Sequence, residues 1–405
     1  MSVMGLVCRN CGADYPPEPL YTCFECFGPL EPRYEWDDIE ISRETIARGP
    51  PSIWRYRQLL PVDGEVVDLG AGFTRFIHAK RLGNALGLRQ LYLIDDSTNP
   101  TYSFKDRVVS VAVSKALEFG MTAVGCASTG NLAGSLAAHA AVANLPAYVF
   151  IPKGLEKGKL TQALVHGAHI IEVDGTYDDA NRLATECAEE RDDWGFVNIN
   201  LRPYYAEGSK TLAYEAAERL GWTVPDQVVV PVASGALLCA IHRGFAELEQ
   251  VGLVEEASVK FNAAQPEGFP VARAIKEHTK VEPIRSWSTL VHSLTIGNPA
   301  DGTFAKKVVE QSGGYAEDPS DLEAIEAIKL LASTEGVFTE LAGGITIAAL
   351  KRLVDGGRID EDEVVVAYLT GNGLKTPEAL VPHLSEPIRI DGRIEEVEEV
   401  ISCCA

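Results

Sequence analysis

A regular alternation of short apolar segments with helical patterns constrains the fold of this chain more than any other feature. The alternation begins near residue 90, and its apolar segments include LYLI at 91–94, AVGCA at 123–127, AYVFI at 147–151 and HIIEV at 169–173. It resumes with QVVVPVA at 227–233, SVKFNAAQ at 258–265, the long helix at 320–336 and VVVAYLTG at 364–371. Strands that alternate with helices predict parallel sheets covered by helices. We therefore predict an α/β protein with two open doubly wound units.

Four cysteines in the first 26 residues form two Cys-x-x-Cys pairs, Cys8 with Cys11 and Cys23 with Cys26. Each pair can turn two sulfurs toward one point, and four thiolates at one point make a closed tetrahedral zinc site. Such a site would hold together a segment too short to build its own core. We predict a structural zinc ribbon there. Small buried thiols are the plainer alternative, and a redox role would need only one pair.

The net charge of −22 in a chain of 405 residues argues against two classes of partner. Nucleic acid and anionic membranes both bind proteins through clustered cations, which this chain lacks. The first residues, MSVMGLVC, have no basic region followed by an apolar core, and no stretch approaches 18 uninterrupted apolar residues. We expect a cytoplasmic protein that acts on a small molecule, with a homodimer as one possible assembly.

Four polar or glycine-rich segments directly follow predicted strands, where open α/β sheets collect their ligands. They are residues 97–107, which contain Lys105, and the segments 128–131, 233–237 and 369–375. The second and third begin helices, whose unpaired N–H groups favour anions such as a carboxylate or a phosphate. Together these segments offer an amine, two anion cups and a strand-end hydroxyl, which are the groups that pyridoxal phosphate (PLP) needs.

The motifs and their order carry a family resemblance. Residues 97–107, STGN at 128–131, EGSKT at 207–211 and TGNGLK at 370–375 resemble the threonine synthases, within the tryptophan-synthase-β-like group of PLP enzymes. The resemblance covers nearly the whole chain and implies two open α/β domains with PLP in the cleft between them. It divides the chain into a ribbon at 1–34, a large PLP-binding domain at 35–112 and 203–405, and a small domain at 113–202.

The resemblance also implies roles for single residues. Lys105 would form the Schiff base and act as the catalytic base, Asn131 would contact the phenolic oxygen of PLP, and Thr370 would contact its ring nitrogen. The loop that would hold the cofactor phosphate departs from the more familiar Gly-Asn-rich version, and its members are Ala233, Ser234, Gly235, Ala236 and Leu237.

By the same resemblance, the expected substrate is O-phospho-L-homoserine and the products are L-threonine and phosphate. The substrate carboxylate would lie at Ser128 and Thr129. A leaving phosphate requires local cations in an acidic protein, and arginine's fork suits phosphate. The candidates are Arg202 and Lys210, with Asn298 as a neutral donor.

Other functions compete with this one. A cysteate-synthase-like enzyme would replace the phosphate of O-phosphoserine with sulfite, and the motifs around Lys105 do not separate the two. A dinucleotide site at Gly70 and Gly72 lacks the third glycine, because position 75 is Arg75. A metal hydrolase could use His166 and His169. A non-enzymatic zinc-ribbon binding protein conflicts with the net charge.

Overall fold

The computed structural model describes residues 3–154, 157–285 and 287–404, apart from the side chains of residues 157–159, 403 and 404. It begins with a small antiparallel sheet in which the central strand pairs with both others. The strands are β1 (Val3–Cys8), β2 (Asp14–Tyr15) and β3 (Leu30–Tyr34). This sheet and the four-cysteine loops beside it are the cysteine ribbon of the protein, residues 3–34.

A four-stranded parallel sheet is built from consecutive strand and helix units in the middle of the chain, in the order β8-β7-β6-β9. Its strands are β6 (Ala123–Ala127), β7 (Ala147–Pro152), β8 (His169–Val173) and β9 (Trp194–Phe196). The connecting helices are α4 (Asn131–Val142), α5 (Lys157–Val165) and α6 (Tyr177–Glu190).

A six-stranded sheet in the order β12-β11-β10-β13-β5-β4 combines strands from both ends of the chain, and only β4 runs antiparallel to its neighbour. The strands are β4 (Arg75–His78), β5 (Gln90–Asp95), β10 (Gln227–Pro231), β11 (Lys260–Ala264), β12 (Ala316–Glu317) and β13 (Val364–Leu369). The remaining helices are α1 (Arg43–Ala47), α2 (Lys80–Leu86), α3 (Lys105–Glu118), α7 (Arg202–Glu207), α8 (Thr211–Arg219), α9 (Ala236–Gln250), α10 (Pro270–Lys276), α11 (Gly302–Gln311), α12 (Asp321–Glu335), α13 (Leu341–Asp355) and α14 (Ile394–Cys404).

The predicted fold class is confirmed. Every apolar segment that was predicted as a strand forms one, and the helix predicted at 320–336 is α12, capped by Ser320 and ended by Gly336 at a positive φ of 68°. The short strands β4, β9 and β12 were not predicted, since two to four residues carry little pattern of their own. No described helix is both long enough and apolar enough to cross a bilayer.

Helix α13 was also missed, because its paired glycines disfavour a helix by local propensity. A Cβ at Gly343 would lie 2.0 Å from Thr339 Oγ1, and one at Gly344 would lie 2.5 Å from the carbonyl oxygen of Ala324 on α12. Gly344 therefore allows α13 to pack closely on α12, and Gly343 leaves room for the side chain of Thr339, so tertiary contact outweighs propensity here.

Candidate active site

One cleft of about 1490 Å³ collects residues from both parallel sheets and from the cysteine ribbon. Segments that follow β5, β6, β10 and β13 line it, so the carboxyl ends of strands from the two sheets share this space. This is where open α/β sheets bind ligands. The sequence-predicted residues that line it are Lys105, Ser128, Thr129, Asn131, Arg202, Ala233, Ser234, Gly235, Ala236, Leu237 and Thr370.

Lys105 is the first residue of α3, and its ammonium reaches the cleft. Its Nζ donates to Tyr205 Oη over 3.0 Å and lies 4.5 Å from the ring centre of Phe104. Tyr102, three residues earlier, holds a left-handed backbone with φ of 66°, a conformation that non-glycine residues seldom adopt. Such strain persists only where the surroundings hold it in place.

Backbone hydrogen bonds supply that restraint. Phe104 N donates to Thr370 O over 2.9 Å, and Asn372 N donates to Tyr102 O over 3.0 Å. Glu340 N donates to Gly371 O over 2.9 Å from the start of α13. The loop that carries Lys105 is therefore locked to the end of β13, and Thr370 and Glu340 are placed by the same contacts.

Glu340 is a buried carboxyl in this cleft that the sequence did not reveal. Asn131 Nδ2 donates to its Oε2 over 3.0 Å, and Thr370 Oγ1 donates to its Oε1 over 3.3 Å. Burial raises the pKa of Glu340, although the bond from Asn131 and the charges of Lys375 and Lys105 act against that rise. Burial also lowers the pKa of Lys375, which donates to Gln162 over 2.8 Å.

Two helix N-termini line the cleft. Residues 128–131 lead into α4, and residues 233–237 lead into α9. Gly235 has φ of 96°, and a Cβ there would lie 2.7 Å from the carbonyl oxygen of Asp301. Only glycine suits this turn, so the backbone of the second segment can approach an anion closely.

The three candidates for phosphate binding have different surroundings. Arg202 lines the cleft and pairs with Asp301 over 2.5 Å, while Asn298 is exposed and does not line it. Lys210 is fully buried outside the cleft, where it pairs with Glu207 over 2.5 Å and with Glu247 over 2.9 Å. Because two carboxylates enclose its ammonium, this arrangement contradicts the expectation that Lys210 binds the substrate phosphate. It is instead an internal cation of the core.

The four ribbon cysteines come together as their spacing predicted. All their sulfurs lie within 4.8 Å of one another, with Sγ–Sγ distances of 3.5 Å for Cys8 and Cys26 and 3.6 Å for Cys11 and Cys23. Tetrahedral zinc with Zn–S bonds of about 2.3 Å needs sulfurs about 3.8 Å apart, so this cluster fits zinc. It is the only group of three or more potential metal ligands found among the described residues.

The cleft also fits PLP by the chemistry of its donors. Lys105 offers an amine for the cofactor aldehyde, the start of α9 offers N–H groups for its phosphate, and Thr370 offers a hydroxyl for its ring nitrogen. Thr376 Oγ1, on the cleft wall, is buried without a hydrogen-bond partner in the described part of the chain. An orphaned polar atom of this kind is expected where a ligand completes the site.

Sequence reasoning missed four polar side chains of the cleft, for different reasons. Glu340 begins an unpredicted helix, and Lys375 belongs to a recognised motif without an assigned role. Tyr205 precedes EGSKT, where its closeness to a lysine 100 positions earlier leaves no local signal. Arg9 lies inside the ribbon, whose sequence predicts only a structural unit.

A lysine that faces a cleft between two α/β sheets, with two helix starts suited to anions, is the arrangement expected of a PLP enzyme. The chain belongs to the family described as pyridoxal-phosphate dependent enzyme, whose pattern matches residues 67–371. Within that family it belongs with the threonine synthases. It is 39% identical over 401 residues to threonine synthase of Methanosarcina acetivorans, with 98% of each chain covered. It is 39% identical over 402 residues to threonine synthase of Methanocaldococcus jannaschii, with 97% of this chain and 98% of the relative covered.

Solved structures share the fold at lower identity. The processed form of threonine deaminase isoform 2 from Solanum lycopersicum matches with a TM-score of 0.65 and 20% identity, over 76% of this chain and 86% of the other. Maize serine racemase matches with a TM-score of 0.62 and 18% identity, over 76% of this chain and 92% of the other. These likenesses establish the fold alone.

Proposed function

We propose that this enzyme converts O-phospho-L-homoserine and water into L-threonine and inorganic phosphate. The observation that carries the proposal is the 39% identity to threonine synthases over 98% of both chains, which includes the cysteine ribbon. The cleft supplies matching chemistry, with an amine at Lys105, a guanidinium at Arg202 and two anion-binding helix starts.

When bound at Lys105, PLP withdraws electrons from the amino-acid carbons of the substrate and so acidifies their C–H bonds. The rest of the work falls to side chains. Lys105 Nζ moves protons at the substrate carbons, and a single amine can serve several of these steps in turn. Tyr205 Oη, 3.0 Å away, orients that amine. Glu340 accepts from the amide of Asn131 and from the hydroxyl of Thr370 and so holds both side chains in place at the cleft.

The anionic groups of cofactor and substrate need separate places in the cleft. The start of α4, with Ser128 and Thr129, is suited to the substrate carboxylate, and the segment 233–237 is suited to the cofactor phosphate. Arg202 is suited to the leaving phosphate, because a guanidinium can bind two of its oxygens at once.

The remaining expectations are part of the same proposal. The cysteine cluster binds one structural zinc ion, the chain divides after residues 34, 112 and 202, and the enzyme works in the cytoplasm. A homodimer is one possible assembly. Each of these is open to direct measurement.

Phosphate release from O-phosphohomoserine and from O-phosphoserine with sulfite, measured side by side, tests the proposed substrate. We expect L-threonine from the first reaction at a much higher kcat/KM than cysteate from the second. Cysteate as the main product would overturn the proposal and favour the cysteate-synthase-like alternative.

A further inference from the structure

The cysteine ribbon reaches into the catalytic cleft rather than standing apart from it. Arg9, Pro29, Leu30 and Glu31 of the ribbon line the cleft together with Lys105. In sequence, Arg9 follows Cys8 directly and lies between the two cysteines of the first Cys-x-x-Cys pair. Its backbone N–H donates to Pro29 O over 3.0 Å, so the cysteine loops fix the position from which its side chain extends.

One buried carboxylate holds Arg9 beside Arg202. Arg9 Nη1 lies 2.9 Å from Asp301 Oδ1, and Arg202 Nη2 lies 2.5 Å from Asp301 Oδ2. The side chain of Asp301 is 3% exposed, whereas those of Arg9 and Arg202 are 16% and 21% exposed. The guanidinium of Arg9 also lies 4.0 Å from the ring centre of Phe304, which orients it further.

Both guanidiniums keep donors available for another anion. Each has five N–H groups; Arg9 donates to Asp301 and also contacts the thiol of Cys239, and Arg202 donates to Asp301. Glu31 approaches Arg9 Nε at 3.4 Å but is held more closely by Arg243, at 2.7 Å. Asp301 is the one carboxylate that the two arginines share, and Glu31, the other carboxylate near Arg9, is shared with Arg243.

The arginine pair adjoins the reacting part of the cleft on two sides. Asp301 N donates to Ser234 O over 2.9 Å, next to the predicted cradle of the cofactor phosphate. Arg202 and Tyr205 lie three residues apart on α7, a spacing that brings side chains to one face of a helix. Tyr205 in turn contacts Lys105. An anion on the two arginines would therefore lie in the same cleft as the predicted phosphate cradle and the lysine.

We propose that Arg9 and Arg202 together form the subsite for the phosphate group of the substrate, so that the ribbon takes part in substrate recognition. This proposal rests on the proposed function, and it names a residue of the ribbon as a substrate-binding group. Asp301 is the positioning residue, because it sets the two guanidiniums side by side without contacting the substrate. The chemistry that the pair recognises is that of a phosphate monoester dianion.

The test uses the holoenzyme with Arg9→Gln, and with Arg33→Gln as the matched control. Arg33 belongs to the same ribbon, is 47% exposed and pairs with Asp14 away from the cleft. We expect Arg9→Gln to weaken the binding of inorganic phosphate, measured by calorimetry, by about ten- to a hundredfold. The KM for O-phosphohomoserine should rise with it, while Arg33→Gln stays at the wild-type values. Unchanged phosphate affinity in Arg9→Gln, or an equal loss in Arg33→Gln, overturns the proposal.

Two further measurements separate the sources of phosphate. L-threonine carries no phosphate, so its binding to the holoenzyme, followed by the cofactor spectrum, should be the same in Arg9→Gln and wild type. The affinities for PLP and for pyridoxal, which lacks the phosphate, should likewise be unaffected. If Arg9→Gln weakens PLP but not pyridoxal, the pair serves the cofactor phosphate and the substrate assignment is wrong.

The phosphate-binding measurement can be interpreted independently of the proposed reaction. If wild type makes no threonine, the proposed reaction fails, yet the phosphate affinities still report on the arginine pair. Metal analysis accompanies each variant. If Arg9→Gln does not retain the zinc found in wild type, the experiment uses Arg9→Lys in place of Arg9→Gln. Lysine keeps the positive charge but not the forked guanidinium. Weaker phosphate binding in Arg9→Lys, with zinc retained, then supports the subsite, and wild-type affinity overturns it.

Discussion

At the residue scale, Lys105 owes its position to the loop before it more than to the helix that it begins. The helix has no side-chain cap at Phe104, and the hydrogen bonds to Thr370 and Asn372 fix the loop instead. These bonds hold the lysine in one position relative to the cleft. Fixed positioning of a reacting group contributes much of the rate enhancement in catalysis.

We expect Lys105→Ala to lose at least three orders of magnitude in turnover, because no other described amine contacts Tyr205 at this point of the cleft. The visible absorption of the linked cofactor should disappear, although PLP can still bind without the link. Absorption spectra and threonine formation check both expectations. Lys153→Ala, at an exposed position, is the control. Normal turnover in Lys105→Ala would remove the central assignment.

Glu340 predicts a dependence of stability on pH. Its raised pKa means that the folded apoprotein holds a proton more tightly than the unfolded chain, whose ordinary pKa is 4.5. Stability from this group is present below that value and is lost as the pH rises through the raised pKa. Relative to Glu340→Gln, wild-type apoprotein should therefore lose thermal stability as the pH rises above the ordinary carboxyl pKa of 4.5 and through the raised pKa of Glu340. If the Tm of wild type instead rises relative to that of Glu340→Gln as the pH rises, folding lowers the pKa of Glu340 and this prediction is wrong.

At the element scale, a buried charge cluster joins the loop after β5 to α3 and α8. Arg107 is fully buried and pairs with Asp96 over 2.7 Å and with Glu215 over 2.5 Å, while Thr211 accepts a bond over 3.0 Å. The segment 97–107 therefore has two functions. Lys105 faces the cleft, where the chemistry is expected, and Arg107 faces the core, where it stabilises the fold. Each step along a helix turns by about 100°, so Lys105 and Arg107, two positions apart, point about 200° apart and face nearly opposite sides.

Arg107→Met should destabilise the protein by about 3–5 kcal/mol, because Asp96 and Glu215 would be left as uncompensated buried charges. Unfolding in urea measures the change. Arg182→Met is the matched control, since Arg182 pairs with Glu186 on the exposed face of α6 and should cost less than about 1 kcal/mol. Equal effects of the two substitutions would show that the cluster contributes nothing beyond a surface pair.

At the scale of the whole molecule, the ribbon is attached to the body through buried charged contacts. Tyr34 donates to the buried carboxylate of Glu207, and Arg243 bridges Glu207 and Glu31 over 2.8 Å and 2.7 Å. Tyr204 of α7 also donates to the backbone of Glu18 over 3.0 Å. These contacts place the ribbon against α9 and against α7, the helix that carries Arg202.

Removing two of the four thiolates tests the metal and this attachment together. We expect about one zinc per chain in wild type, and none in the double variant Cys8→Ser, Cys26→Ser. The double variant should unfold at a lower temperature and retain PLP, because Lys105 and Thr370 belong to the body. Cys187→Ser, on α6, should keep its zinc. Full zinc content in the double variant, measured on reduced protein, would assign the metal to other ligands.

The sequence by itself determined the parallel strands, the paired cysteines and the segments that line the cleft, because each of these has a local signal. Periodicity marks a buried strand, Cys-x-x-Cys brings two sulfurs together, and a polar turn after a strand must lie at the carboxyl end of a sheet.

Only the tertiary structure decided which charged groups meet. Nothing near Lys210 in the chain shows that Glu247 will enclose it, and nothing near Arg9 shows that Asp301, 292 positions away, will hold it beside Arg202. Helix α13 and Glu340 at its start depend in the same way on packing against α12 and β13. Contacts between segments distant in sequence are set when the whole core is packed, so these pairings carry no local signal.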